Sequence, residues 1–367
     1  MKMLYLGSNK MGGRGRIMFV GGEFFADARW QMAQPAISTE TMTFLNGGKA
    51  CLIVISRWLL DHGIGEILLP SYLCPTIVNT LERCGMQCAY YQVNEDLSIN
   101  IEDLARKAEG QRAVYFINYF GFPHSVLLRN YLAYLQQQGM MVVEDNAQAG
   151  FKEQNTGDFV FNSMRKLVPY DGGYLVTHHD IAPYVEKLRG AQNRRLPVIR
   201  EYRRKLADYL FKDMGEHEEL VRLYNLAEEY YEADMTVEGD AQERSAIEHL
   251  DWEGMGQARR ENYAFLLEQM RGIPGIEPLF PVLPPGVVPL GLPVYVNGVQ
   301  RDRLFDELGE AGIGLTVHWE GLLNDPRLNG NAGVVEMAGK MLTLAVDQRW
   351  GKAHMQYMAG KVREIVG

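Results

Sequence analysis

Residues 142–149 read Val-Val-Glu-Asp-Asn-Ala-Gln-Ala, and residues 162–174 read Asn-Ser-Met-Arg-Lys-Leu-Val-Pro-Tyr-Asp-Gly-Gly-Tyr. The first stretch reads as a buried strand ending in a carboxylate, Asp145. The second carries Ser163, then Lys166 three residues on, then a Gly172-Gly173 turn. Upstream, short apolar strands alternate with helices. Strands are expected at 66–69, 88–93, 113–119 and 140–144. Helices are expected at 47–63, from Pro75 to 81, within 97–107 and at 126–138. Pro75 suits a helix start, because its missing N–H would be unpaired there anyway. Strands spaced by helices of about ten residues predict a mainly parallel sheet with helices on both faces. In such sheets ligands bind beyond the carboxyl ends of the strands. Asp145, Asn118-Tyr119 and Pro70-Ser71-Tyr72 all fall there.

At 367 residues the chain is too long for one ordinary core. Two domains are expected: a large α/β domain over 1–245, opening with an arm at 1–46, and a smaller α/β C-terminal domain over 246–367. Residues 181–248 turn helical and charged, and a further helix is expected at 259–270. Pro284-Pro285-Gly286 marks a turn. After it come strands at 292–296, 315–319 and 341–346, a helix at 301–311 and a closing helix.

Net charge is −9, with no Lys/Arg block, so nucleic acid is not an expected partner. No apolar run approaches the roughly 20 residues of a membrane span, and the N-terminal sequence lacks a signal-peptide pattern. Cys51, Cys74, Cys84 and Cys88 match no zinc or redox spacing. Free thiols in a reducing cytoplasm are the plain expectation. No His-Glu-x-x-His pattern suggests a metal. His178-His179 follows a predicted strand and is expected at the surface.

A buried carboxylate, a lysine and an anion-binding helix start are the parts that hold pyridoxal 5'-phosphate (PLP). The lysine joins the aldehyde, and the carboxylate keeps the ring nitrogen protonated. Lys166 and Asp145 suit these roles. Asn46-Gly47-Gly48-Lys49-Ala50 opens an apolar helix whose free N–H groups and dipole favour a phosphate. Ser163 can add a hydroxyl.

Taken in order, Gly-Gly-Lys-Ala at 47–50, Leu-Pro-Ser-Tyr at 69–72, Asn118-Tyr119-Phe120-Gly121, Glu144 to Ala149 and Ser163 to Lys166 resemble the DegT/StrS-type aminotransferases. These are PLP enzymes of fold type I, often acting on nucleotide-linked keto-sugars. The resemblance is closest over about 40–180. It implies Lys166 as the cofactor-bound lysine and proton shuttle, and Asp145 as the partner of the ring nitrogen. It places Gln148 near the ring hydroxyl, and Gly48, Lys49, Ala50 and Ser163 around the phosphate. Asn118 and Tyr72 join the cofactor contacts. The position where the family carries a ring-stacking aromatic falls on Cys74, with Tyr72 as a substitute. His318 and Arg194 are candidate substrate contacts. The resemblance also implies a homodimer with its active site at the subunit interface, with the 192–195 segment near the phosphate and the arm at 1–46 packed on the partner.

The reaction so implied moves an amine from a small-molecule donor such as glutamate to a keto or aldehyde acceptor. Two other readings stay open. One is a PLP enzyme of dehydration or replacement chemistry, and the other is a non-catalytic regulator on the same fold.

Overall fold

The computed structural model describes residues 18–152, 155–328 and 331–367. After β1 (Val20–Gly21) and β2 (Thr43–Leu45), the chain alternates α1 (Gly48–Asp61), β3 (Glu66–Pro70), α2 (Pro75–Arg83), β4 (Gln87–Tyr91), α3 (Ile101–Ala108), β5 (Ala113–Ile117), α4 (Val126–Gln137) and β6 (Met141–Asp145). Two strands follow, β7 (Phe159–Phe161) and β8 (Gly173–Thr177). Then come α5 (Ala182–Lys187), α6 (Arg195–Lys212), α7 (His217–Ala233), α8 (Ala241–Glu248) and α9 (Trp252–Met270). The remainder is β9 (Ile276–Pro278), β10 (Leu292–Val296), α10 (Arg301–Glu310), β11 (Ile313–Gly314), α11 (Ala332–Lys340), β12 (Met341–Leu344) and α12 (Lys352–Val366).

The main sheet has seven strands in the order β2-β8-β7-β6-β5-β3-β4. Strands β3 to β7 pair in parallel, and β8 runs against both its neighbours. Every residue of β5 is buried, as helices on both faces require. Helix α1 is buried along most of its length, so its sequence is almost uniformly apolar rather than striped. Local signals set the helix starts. Asn100 accepts from the Asp103 N–H, and Ser125 from the Leu128 N–H. Both are caps for otherwise unpaired donors. A second sheet, β12-β10-β9, is antiparallel.

One expectation changes. No strand forms over 315–319. Pairing there is limited to β11, which runs parallel to β1, and a bridge from Thr316 to Thr343. Side chains take over part of the backbone pairing, since the His318 carbonyl accepts the Tyr72 hydroxyl. The described part of the arm packs on its own chain. β1 pairs with β11, β2 edges the main sheet, and Arg349 donates to the carbonyls of Gly22 and Glu23 at 2.8 and 2.6 Å. Val20, Phe25 and Leu45 belong to the core, with Phe25 edge-on to Trp350 at 6.1 Å, whereas Met18 and Met32 are exposed. Residues 1–17 of the expected arm lie outside the described residues.

The carboxyl edge of the parallel strands gathers Ser71–Cys74, Asn118, Asn146–Gln148 and Asn162–Lys166, together with the start of β8. Only glycine fits at that start. A Cβ on Gly173 would sit 2.5 Å from the Asn162 carbonyl oxygen and 2.9 Å from the Gly47 carbonyl carbon. This contact brings the entrance of α1 against the end of β7.

Just before it, Asp171 is clamped between Arg195 Nε at 2.6 Å and Arg203 Nη2 at 2.7 Å, all three buried. Burial alone would raise the Asp171 pKa. The two guanidiniums outweigh it and hold the carboxyl well below the usual range. Breaking a buried pair typically costs about 3–5 kcal/mol. Asp171→Asn should therefore lower the unfolding free energy by about that amount at pH 7, read by urea denaturation. Because the folded-state pKa is depressed, the contribution is complete above the ordinary carboxylate pKa and fades as pH falls below it. The gap between the two proteins should narrow below roughly pH 4. Equal stability at pH 7 would contradict the clamp.

Candidate active site

Lys166 ends a single tight turn, Met164–Lys166, between β7 and β8. The turn is fixed from both sides. The Met164 N–H donates to the Gly172 carbonyl at 2.8 Å, and the Leu167 and Val168 N–H groups return to the Met164 carbonyl. Asn162 accepts from the Tyr174 N–H at 2.8 Å. Met164, Leu167 and Val168 anchor the turn in a small apolar cluster with Ile247, Leu250 and Met255. Lys166 itself stays partly accessible.

Asp145 ends β6 with no exposed surface. Its Oδ1 accepts from the Ala147 N–H at 2.6 Å, and its Oδ2 accepts the Tyr115 hydroxyl. Burial raises the Asp145 pKa, opposed by the Lys166 charge and these bonds. Burial lowers the Lys166 pKa, opposed by Asp145 and Cys74. The two groups sense each other electrostatically, yet they form no direct ion pair among the described residues. A second buried group, His318, also feels the Lys166 charge, and its pKa is pushed down to about 3, chiefly by burial. Its imidazole is therefore neutral at ordinary pH. Nδ1 of His318 lies 2.9 Å from the Thr343 hydroxyl, and its ring meets Phe120 edge-on at 5.0 Å.

The start of α1 lies alongside. Gly47 offers no side-chain cap, and a Cβ on Gly48 would be 3.3 Å from the Ser163 Cβ. The first-turn N–H groups of Gly48, Lys49 and Ala50 therefore open beside Ser163. The Lys49 side chain turns elsewhere. Its ammonium donates to the Tyr231 and Glu232 carbonyls at 2.6 and 2.7 Å, and burial lowers its pKa to about 8. Asn193 of the same chain donates to Asn46 at 2.7 Å, just before this helix start.

Other predicted residues divide. Gln148 is fully buried. Its Oε1 accepts from the Phe120 N–H at 2.7 Å, while its Nε2 has no partner among the described residues. A buried amide donor left unpaired suits a site built for a polar ligand. Cys74 precedes α2 close enough to sense both Lys166 and Tyr115. Tyr72 is buried below Trp319 and Tyr119, with ring centroids 5.4 and 6.3 Å away. Asn118 has its amide donors occupied by Glu144 and Asn146 at 2.9 and 2.7 Å. Arg194 is exposed, paired with Asp234 and lying over the Tyr230 ring. Its contacts do not bring it to Lys166.

Three contributors escaped the sequence reading. Tyr115 looks like core in the apolar run of β5, although its hydroxyl is the strand's one side-chain donor. Arg259 and Gln348 both donate to the Leu167 carbonyl, at 3.1 and 2.8 Å, and bond each other at 2.7 Å. No local motif pairs residues so far apart in sequence.

The sequence profile of the DegT/DnrJ/EryC1/StrS aminotransferase family matches residues 31–336. No curated protein matches the chain. Among solved structures, the fold is similar to Helicobacter pylori PseC, an aminotransferase involved in the biosynthesis of pseudoaminic acid. There the TM-score is 0.65 at 14% identity, over 89% of this chain and 86% of that one. It is also similar to S. venezuelae DesV in complex with a ketimine intermediate, with a TM-score of 0.61 at 21% identity, over 92% and 86%. A third is the sugar aminotransferase CalS13 from Micromonospora echinospora, at 0.60 and 18%, over 88% and 87%.

The tie on Leu167 gives a test. Arg259 is buried without a carboxylate bonded to it, and burial lowers its pKa to about 10. Its donors go to Gln348 and to the carbonyls of Leu167, Pro289 and Leu290. Arg259→Met strands those acceptors, and an unmet buried group costs about 1–3 kcal/mol. Urea denaturation should show a loss of at least that size. A variant as stable as the wild type would mean the guanidinium's burial cost cancels its bonds.

Proposed function

Starting from the DegT/DnrJ/EryC1/StrS aminotransferase family, to which this chain belongs, we propose that it transfers an amine from a donor such as glutamate to a small keto or aldehyde acceptor of the keto-sugar or natural-product class. Enzymes of this family are PLP-dependent aminotransferases. One observation carries the reading: a fully buried Asp145 and a partly accessible Lys166 meet at the carboxyl edge of the sheet, each sensing the other's charge without an ion pair among the described residues, beside the uncapped start of α1.

The residues suit PLP. The α1 N–H groups and Ser163 would hold its phosphate, Asp145 its ring nitrogen, Lys166 its aldehyde, and the unpaired Gln148 amide a ring oxygen. When bound, the cofactor supplies an electron sink for the carbon that carries the amine. The chain supplies the rest. Burial favours the neutral amine of Lys166, the form that accepts a proton. The Tyr115 hydroxyl and the Ala147 N–H hold the Asp145 carboxylate in place and favour its charged form. His318, neutral and buried, lines the site as a hydrogen-bonding wall without adding charge. Cys74, with Tyr72 behind it, bounds the side where a ring would stack.

Further parts of the reading are the division into 1–245 and 246–367, a homodimer and a cytoplasmic setting. Four free cysteines suit a reducing compartment. No described helix is long and apolar enough to cross a membrane.

Single donors given to cofactor-loaded protein without acceptor should release the matching keto acid, one equivalent per site. Glutamate should yield 2-oxoglutarate. No keto acid from any of a broad donor panel would overturn the reading. Asp145→Asn should retain the cofactor yet slow this half-reaction. A lost charge-assisted bond is worth about 1.5–3 kcal/mol, or roughly ten- to hundredfold, and an unchanged rate would remove Asp145 from the role.

The dimer is tested by mixing Lys166→Ala with Arg194→Ala. If Arg194 serves the partner's site, mixed dimers regain activity. No recovery despite proven subunit exchange would return Arg194 to its Asp234 pairing alone.

A further inference from the structure

At the opposite edge of the main sheet, β7 begins and β8 ends. Phe159 pairs with Thr177, so Asp158 emerges next to His178 and His179. One ligand atom from each of these three residues lies within 4.8 Å of the others. The two imidazole centroids are 4.2 Å apart. The carboxyl end of α1 arrives at the same place, with the Trp58 ring 4.4 Å from that of His179 and 3.7 Å from that of His62.

Each group is set as a ligand would be. Asp158 Oδ2 accepts from the Val142 N–H at 2.8 Å, which fixes the carboxylate and leaves its Oδ1 unused in the protein's hydrogen bonding. The His179 ring packs on Phe159 at 5.1 Å, and its buried Nε2 has no hydrogen-bond partner among the described residues. That is an unmet polar atom, of the kind that calls for an explanation. His178 is exposed and free to turn toward it. The negative end of the α1 dipole favours a cation nearby.

We propose that Asp158, His178 and His179 form a site for a late first-row divalent cation of the zinc class, separate from the Lys166 site. Two imidazoles and one carboxylate suit Zn²⁺, Co²⁺ or Ni²⁺ better than Mg²⁺ or Ca²⁺. Ligands held at about 2.0–2.2 Å around a tetrahedral zinc sit roughly 3.4 Å apart. Closing from 4.8 Å needs only side-chain rotation, chiefly of His178. The bound ion would join the start of β7 to the end of β8, the two strands that frame the Lys166 turn. The sequence spacing hides this site, because its ligands come from two strand ends rather than one motif.

Chelator-stripped, cofactor-loaded protein titrated with Zn²⁺ alone in a calorimeter should bind one ion per chain with roughly micromolar affinity. Binding should alter Trp58 fluorescence. His178→Ala, at an exposed position that spares the fold, and His179→Gln should each weaken binding at least about tenfold, the loss even an outer-shell partner can cause. Both should leave transamination unchanged. Co²⁺ should give the absorption of a nitrogen- and oxygen-ligated ion. The proposal is overturned if no saturable site is found. It also fails if His178→Ala binds like the wild type, or if Co²⁺ shows thiolate ligation, which would place the ion at a cysteine instead.

Discussion

An amine and a buried carboxylate lie within electrostatic reach of each other but form no ion pair among the described residues. Every other feature of the site depends on that arrangement. Asp145 has no exposed surface and Lys166 little, so burial pushes the Asp145 pKa up and the Lys166 pKa down. A direct ion pair would relieve the cost, yet Asp145 spends its oxygens on Tyr115 and Ala147 instead. Groups poised in this way weaken a fold and serve chemistry, and perturbed pairs of this kind concentrate at functional sites.

The surrounding structure compensates with rigidity. The Lys166 turn is bound to the start of β8 through Gly172, and β8 is pressed against α1 where Gly173 admits no side chain. Asp171, one residue upstream of that turn's anchor, is locked by two buried arginines. From the far side, Arg259 on α9 and Gln348 after β12 both seize the Leu167 carbonyl. A second tie runs from the Tyr72 hydroxyl to the His318 carbonyl. The two sheets are thus joined through the residues flanking Lys166, and a shift between them would move its amine.

Much of the fold could be read from the sequence because β3 to β6 and α1 to α4 carry strong apolar patterns. The parallel sheet followed from that, while the family came from the resemblance of the motifs at 47–50, 69–72, 118–121, 144–149 and 163–166. The strands β2 and β7 are only three residues each, too short for any periodicity to mark. The segment 315–319 has a strand-like composition, but its described pairing is one backbone bridge, Thr316 to Thr343, and one side-chain bond, from the Tyr72 hydroxyl to the His318 carbonyl. At the site, Asp145 and Lys166 stood out because charged residues beside apolar strands are rare. Tyr115 did not, since an aromatic in an apolar strand reads as core. Arg259 and Gln348 were invisible for another reason. Their contact with Leu167 exists only after the C-terminal segment folds back on the sheet. Asn118 and Arg194 were named from the family resemblance; within this chain their polar groups are engaged by Glu144, Asn146 and Asp234.

The central claim is that Lys166 is the amine this fold was built to present. Borohydride reduction of the protein after incubation with PLP, followed by peptide mapping, tests it most directly. The account predicts one modified peptide per chain, containing Lys166, and none in Lys166→Ala. Modification at Lys49 or Lys152 in place of Lys166, or undiminished single-site labelling of Lys166→Ala, would contradict it.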